Sequence, residues 1–296
     1  MALFGTDLST YNGEVDFDAI KRVGVKFAIV KATQGHSLYS NYYMFTDSKF
    51  KRNVEGLYKV GIPVGAYHFL TASNQSECEK EADYFLKTVE PYRDKISLYL
   101  ACDAENYNNK YLLGLSKDEL TSLINSFCSR IEAAGYHACH YTNTDHILSF
   151  INIDKLNYPV WQAHYGANIK KPIQAGDKLA IHQYTGTGTL PGISGLFDLN
   201  FGYKPLAILI IRDRCGYEEQ TFDYISCFKS GEDILIKLAD KLVERSLKPI
   251  RDPSTVKLAS LMRYYCGFDK DQSDYLLAYK YADDLYRKMY LALLSK

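Results

Sequence analysis

Eight short apolar runs, rich in β-branched and aromatic residues, recur over the first two thirds of this chain, and segments of helical period lie between several of them. The runs are Ala2 to Asp7, Lys26 to Ala32, Ile62 to Phe69, Ile96 to Asp103, Tyr136 to Thr142, Tyr158 to His164, Lys178 to Tyr184 and Gly195 to Phe201. Alternation of this kind is the mark of β/α units, and about eight such strands suit a closed barrel. The expected fold class is therefore α/β, an irregular TIM-like (β/α) barrel. Its best helix lies between the fourth and fifth runs, where Ser116 and Glu119 form a capping box and Gly135 is placed to end the element. Leu120, Leu123, Ile124, Phe127 and Ile131 make its buried stripe. Helices are also expected over Phe17 to Val23, Phe45 to Val60 and Ser76 to Val89. Connections after the fifth run are shorter and less helical, so the later barrel is expected to be irregular.

The pattern changes near Tyr203-Lys204-Pro205. Leu206 to Ile211 reads as a strand, and helical stretches follow over Glu232 to Leu247, Ser254 to Cys266 and Asp271 to Ser295, with Pro249 and Pro253 between the first two. The expected division is a barrel over 1–204 and a mainly helical accessory domain over 205–296, within the usual size of a domain. No internal repeat stands out. Tyr275, Tyr279, Tyr286 and Tyr290 fall at helical spacing around Ala282, a stripe that serves either as core or as an exposed surface for glycan or a second copy; core is the commoner use.

Thirty-five basic and 35 acidic residues balance, so no overall field draws the chain to nucleic acid or an anionic membrane. Met1-Ala2-Leu3-Phe4 has neither the basic region nor the long apolar core of a signal peptide, and no run is long enough for membrane insertion. The seven cysteines are odd in number and scattered, without a Cys-x-x-Cys pair, which reads as reduced thiols made in a cytosol. Neither a metal site nor a cofactor is expected.

In a β/α barrel the site forms at the C-terminal ends of the strands, so the run ends carry the functional reading. They present Asp7, Lys31, Tyr67-His68, Asp103 and Glu105, Tyr141, Trp161 to Tyr165, Gln183-Tyr184, and Asp198 with Asn200. Asp103 and Glu105 are two apart, so they share a strand face roughly 6.5–7 Å apart along the chain. A hydrophobic floor beneath them would raise one carboxyl above the other, the split that glycoside hydrolysis needs between a proton donor and an ionised partner. A sugar ring stacks its C–H faces on Tyr or Trp and offers its hydroxyls to Asp, Asn, Gln and Lys. Expected acids are Glu105, Asp103, Asp7 and Asp198; expected substrate contacts are Lys31, Tyr67, His68, Tyr141, Trp161, Tyr165, Gln183 and Asn200. Plainer uses stay open: Lys31 as a rim ion pair, Tyr67 and Trp161 as cover for the barrel top. His68 and His164 read as satisfied rim histidines, not metal ligands.

The segments Gly5-Thr6-Asp7-Leu8-Ser9, Val30-Lys31-Ala32-Thr33-Gln34-Gly35, Gly65-Ala66-Tyr67-His68-Phe69, Asp103-Ala104-Glu105, Trp161-Gln162-Ala163-His164-Tyr165, Gln183-Tyr184 and Gly195-Leu196-Phe197-Asp198-Leu199-Asn200 resemble, in order, the family 25 glycoside hydrolases, muramidases of phage, bacteria and some eukaryotes. The resemblance runs from about residue 3 to residue 202. It implies an irregular β/α barrel that cleaves peptidoglycan between N-acetylmuramic acid and N-acetylglucosamine, with Glu105 as general acid over a floor of Asp103, Asp7 and Asp198. Beside it, an ionised Asp103 is expected to raise Glu105 and to orient the sugar's 2-acetamido group, a substrate-assisted route favoured over a covalent ester. The family often has Glu or Asp where Gln34 stands and Trp where His182 stands. By analogy with modular endolysins, the expected setting is a phage lysin made in the host cytoplasm and released by a separate protein, its tail used for wall binding or for a homo-oligomer. The rival expectation is a catalytically silent glycan-binding protein on the same barrel.

Overall fold

A computed structural model describes residues 2–36, 43–105, 112–166, 170–251 and 253–294. The chain divides into two compact units, Phe4–Gly202 and Tyr203–Lys296, the start of the chain grouping with the second.

The first unit is a closed barrel of eight strands: β1 (Leu3–Leu8), β2 (Phe27–His36), β4 (Val64–Phe69), β5 (Ile96–Asp103), β6 (His137–Asn143), β7 (Val160–Ala163), β8 (Leu179–Leu190) and β9 (Ile193–Gly202). They follow in the order β1, β9, β8, β7, β6, β5, β4, β2, and β2 pairs back onto β1. Neighbours from β1 through β2 and β4 to β8 are parallel. β9 runs antiparallel to β8. Only Pro191 and Gly192 (φ 75°) separate Leu190 from its partner Ile193. Two residues make a hairpin, whereas a parallel return needs a dozen or more, so this link alone makes the barrel irregular.

Helices α1 (Phe17–Arg22), α2 (Phe50–Lys59), α3 (Gln75–Val89), α4 (Lys117–Ala133) and the short α5 (Thr144–Phe150) fill the connections. The Ser116–Glu119 capping box opens α4, and all five residues of its expected stripe are buried. The helix expected from Phe45 begins only at Phe50, because β3 (Tyr43–Thr46) pairs antiparallel with Thr33–His36 outside the barrel. Asp47 then turns the chain, its carboxylate accepting from the backbone N–H of Thr10 and Lys49 at 2.9 and 2.8 Å. Interior spacing is tight at Gly5, where an added Cβ would lie 2.3 Å from the Phe27 ring. All seven cysteines are free thiols, six of them buried.

The described residues of the second unit are mainly helical, with α6 (Lys204–Cys215), α7 (Glu219–Ser226), α8 (Gly231–Glu244), α9 (Thr255–Cys266), α10 (Lys270–Leu277) and α11 (Ala282–Leu293), and an isolated bridge between Leu247 and Leu294. The strand expected at Leu206–Ile211 is helix. Its apolar run is buried on several sides, and Pro205 occupies the first turn, where a missing N–H costs nothing. The single helix expected from Asp271 is two, broken at Tyr279–Tyr281; Ser295 lies outside the described residues. The tyrosine stripe is thereby split, with Tyr279, Tyr286 and Tyr290 buried in the unit.

An internal repeat, unexpected from the sequence, is plain in the helix boundaries. Thr255, Lys270 and Ala282 each start a helix 51 residues after Lys204, Glu219 and Gly231. At that offset Cys215-Gly216-Tyr217 matches Cys266-Gly267-Phe268, and Asp223-Tyr224-Ile225 matches Asp274-Tyr275-Leu276. Gly216 and Gly267 end α6 and α9 in the same left-handed conformation, φ 62° and 69°. The Tyr224 hydroxyl donates to the carbonyl of Tyr275, and the Tyr275 hydroxyl donates to that of Tyr224, each at 2.7 Å. Such reciprocity is what a two-fold relation between the repeats produces.

Candidate active site

The barrel rim holds a cavity of about 250 Å³ lined by Asp7, Tyr67, Asp103, Glu105, Tyr141, Trp161, Tyr165, Gln183 and Asp198. Seven strands and the residues just past their ends supply these groups, because residues two apart on a strand share a face and the strands bring their inward sets to one rim. A second cavity of about 730 Å³, lined by Asn143, Thr144, Asp145, His146, Phe150 and His164 among others, shares Glu105, Tyr141 and Tyr165 with the first.

Asp7 sits on a fixed hydrogen-bond frame. The Trp161 indole, a donor only, gives its N–H to Asn200 Oδ1 at 2.8 Å, so the Asn200 amide N–H₂ faces Asp7 Oδ2, also at 2.8 Å. Gln183 is oriented likewise: its Oε1 accepts from the Tyr141 hydroxyl at 2.8 Å and from Tyr165, and its Nε2 donates to Asp7 Oδ2 at 2.9 Å. Burial raises the Asp7 carboxyl well above the usual range, Asp198 adds to the rise, and the two amides oppose it. Burial also holds Asp198 up at about 6.

Asp103 is 4% exposed, and its Oδ1 has no hydrogen-bond partner among the described residues. Burial raises it well above the usual range and the charge of Glu105 raises it further, against the pull of Lys31. Glu105 is raised by burial too, but less enclosed, and a hydrogen bond with Asn143 favours its ionised form. Burial is thus the largest cause of the rise at both carboxyls, and the charge of Glu105 adds to it at Asp103.

Lys31 reaches the acids from β2. Its Nζ donates to Gln34 Oε1 at 2.6 Å and lies 6.0 and 5.5 Å from the Tyr67 and Phe69 ring centres. Burial lowers its pKa, and Asp103, Asp47 and Glu105 oppose that. A register shift between Lys31 and Thr33 against β4 turns Thr33 outward while Lys31 keeps the side of Tyr67.

Three expected contacts need correction. His68, next to Tyr67, points to the other face of β4; it is fully buried, bonded to Thr33 Oγ1 at 2.7 Å and to Glu81 Oε2 at 2.5 Å. It does not line the cavity. Asn200 is also fully buried, because β9 is reversed and residues beyond Asp198 run down into the barrel, where Asn200 pairs with Gln183. It holds Asp7 and Trp161 instead of a ligand. Trp161 is only 2% exposed and meets Tyr141 edge-on at 4.5 Å, so it floors the cavity without offering an open ring face; Tyr165, 55% exposed, does offer one. Asn143 was missed by the sequence reading. It lies two residues past Tyr141 on the same face, and its side chain also caps α5 through the His146 N–H at 2.8 Å.

Residues 6–193 match glycosyl hydrolases family 25. The autolytic lysozyme of Clostridium acetobutylicum is 31% identical over 196 residues, covering 66% of this chain and 54% of that protein. Lysozyme M1 of Streptomyces globisporus is 31% identical over 204 residues, covering 66% of each. This chain thus spans about half to two thirds of the length of those relatives. The crystal structure of a bacterial lysozyme from Streptomyces coelicolor aligns with a TM-score of 0.54 at 26% identity, covering 68% of this chain and 91% of that one. A barrel closed by a β8–β9 hairpin, four acids from three strands in one cavity, and a sequence match over most of that barrel lead to one assignment: the chain belongs to family 25 of the glycosyl hydrolases.

Proposed function

We propose that the protein is a muramidase, cleaving the β-1,4 bond between N-acetylmuramic acid and N-acetylglucosamine in bacterial peptidoglycan. The observation that carries this reading is the gathering of Asp103 and Glu105 in one rim cavity with Asp7 and Asp198, with burial raising both Asp103 and Glu105. An acetamido N–H donated to Asp103 Oδ1 stabilises the Asp103 carboxylate, and the glycan shields Glu105 from water. Both effects favour an ionised Asp103 beside a protonated Glu105. Glu105 then protonates the glycosidic oxygen as its bond to the muramyl C1 breaks. The 2-acetamido oxygen, oriented by Asp103, closes on C1, and water, deprotonated by Glu105, opens that intermediate. Tyr165 is the ring face available to a sugar.

We place this activity in phage-driven lysis, the protein being made in the host cytoplasm and reaching the wall after a separate protein opens the membrane. The support is the resemblance to modular endolysins and the presence of a second unit.

The test is digestion of purified peptidoglycan with identification of the new reducing ends. N-acetylmuramic acid ends are expected. N-acetylglucosamine ends would overturn the bond assignment, and retention on the wall without turnover would establish the silent glycan binder.

A further inference from the structure

The duplication in the helical unit separates residues kept for packing from residues kept for another reason. Cys215 and Cys266, Tyr217 and Phe268, Ile225 and Leu276, and Leu242 and Leu293 are matched and buried, as a repeated core requires. Asp233–Lys237 and Asp284–Lys288 repeat the same ion pair at 2.8 and 3.0 Å. Lys229 and Lys280 are matched as well, yet both are exposed and neither packs into a core.

These lysines occupy equivalent turns after α7 and α10, each directly following an end ring of an aromatic ladder. The ladder runs Phe228, Tyr275, Tyr224, Tyr279, with successive ring centres 4.4, 4.5 and 4.2 Å apart. It crosses from one repeat to the other at the reciprocal Tyr224–Tyr275 bonds, so the two ammonium groups stand in related positions at its two ends. Lys229 Nζ is 6.0 Å from the Phe228 ring, and Lys280 Nζ is 4.6 Å from the ring of exposed Tyr281. Among the described residues one ion pair reaches either lysine, Lys229 to Asp271 at 3.4 Å; it joins side chains 75% and 68% exposed and is weak enough to yield to a ligand.

We propose that the helical unit is a two-site binder of a carboxylate-bearing glycan strand, with Lys229 and Lys280 as its equivalent anion contacts and exposed Tyr281 as a sugar platform beside Lys280. A polymer with anionic groups at regular intervals is the ligand for which two like sites on a rigid ladder are useful, because the second contact forms intramolecularly. The proposal rests on the muramidase reading, and it adds where the tail would hold the same polymer.

The experiment uses the full chain and insoluble peptidoglycan stripped of its covalently attached phosphate polymers. Lys229→Gln and Lys280→Gln are each expected to weaken retention by about tenfold or more, since losing one of two sites forfeits an effective-concentration gain of about 10²–10⁴-fold. The double variant is expected to fall to the retention of the barrel alone, with hydrolysis of small soluble glycans unchanged. Lys→Arg at both positions is expected to restore retention, which a merely misfolded tail would not allow. Undiminished retention of the double variant would overturn the proposal. So would retention seen only on unstripped walls, which assigns the sites to phosphate polymers, or self-association that the double variant abolishes, which assigns them to a second copy. Failure of the wild-type chain to cleave soluble glycans would sink the muramidase reading separately, leaving the retention comparison to judge this one.

Discussion

Trp161 and Asn200 are joined by one hydrogen bond of 2.8 Å that decides which way the Asn200 amide points, and through it what Asp7 can accept. Replacing Trp161 with Phe keeps a ring but leaves Asn200 Oδ1 buried without its donor. A stability loss of about 1–3 kcal/mol is expected from that group alone. Denaturant unfolding measures it; a loss under about 0.5 kcal/mol would show that the frame is not held by this bond.

Glu105→Gln is expected to lower turnover on peptidoglycan by about 10²–10⁴-fold with the fold intact, because the amide cannot give up a proton at the required moment. Asp103→Asn should also be severe. A Glu105→Gln protein that kept a tenth of the wild-type rate would remove Glu105 from the acid role.

Lys31 lowers the pKa of both Asp103 and Glu105, so its removal raises both. In Lys31→Met each carboxyl therefore holds its proton to higher pH, and the whole profile of kcat/KM against pH moves in the alkaline direction. A profile that stayed in place while only its height changed would mean that Lys31 contacts substrate without tuning the acids.

Glu81 lies behind the barrel wall, fully buried, bonded to His68 and to both the backbone N–H and the hydroxyl of Thr71. Glu81→Ala strips three buried groups of their partner and is expected to cost about 3–5 kcal/mol, as breaking a buried pair does. Calorimetry reads this directly. A near-neutral result would mean that these groups find other partners.

A chain ending near Tyr203 is expected to stay soluble and to cleave small soluble glycans normally, while its lysis of whole cells falls by about 10²–10⁴-fold if the helical unit tethers the enzyme to the wall. Aggregation of that shorter chain would show instead that the helices cover the barrel's own core.

The eight barrel strands were legible because a buried strand between helices writes itself as a short continuous apolar run, and α4 because its capping box and Gly135 mark both ends. β3 was not, since Tyr43–Thr46 is exposed or half-buried and carries no core pattern; it exists through pairing with the far end of β2. The repeat was hidden by the same logic: helices built on one apolar face tolerate wide substitution, so few identities survive, whereas helix boundaries and a cap glycine keep the offset. At the site, local sequence determined which carboxyls and rings reach the rim, because alternation along a strand is a local property. Which of them meet a ligand was decided only in three dimensions. The strand alternation that turns Tyr67 inward sends His68 to Glu81, and the reversal of β9 sinks Asn200 beneath Asp7. The rise of the Asp103 and Glu105 carboxyls likewise follows from burial, a property of the folded barrel that no spacing of two residues contains.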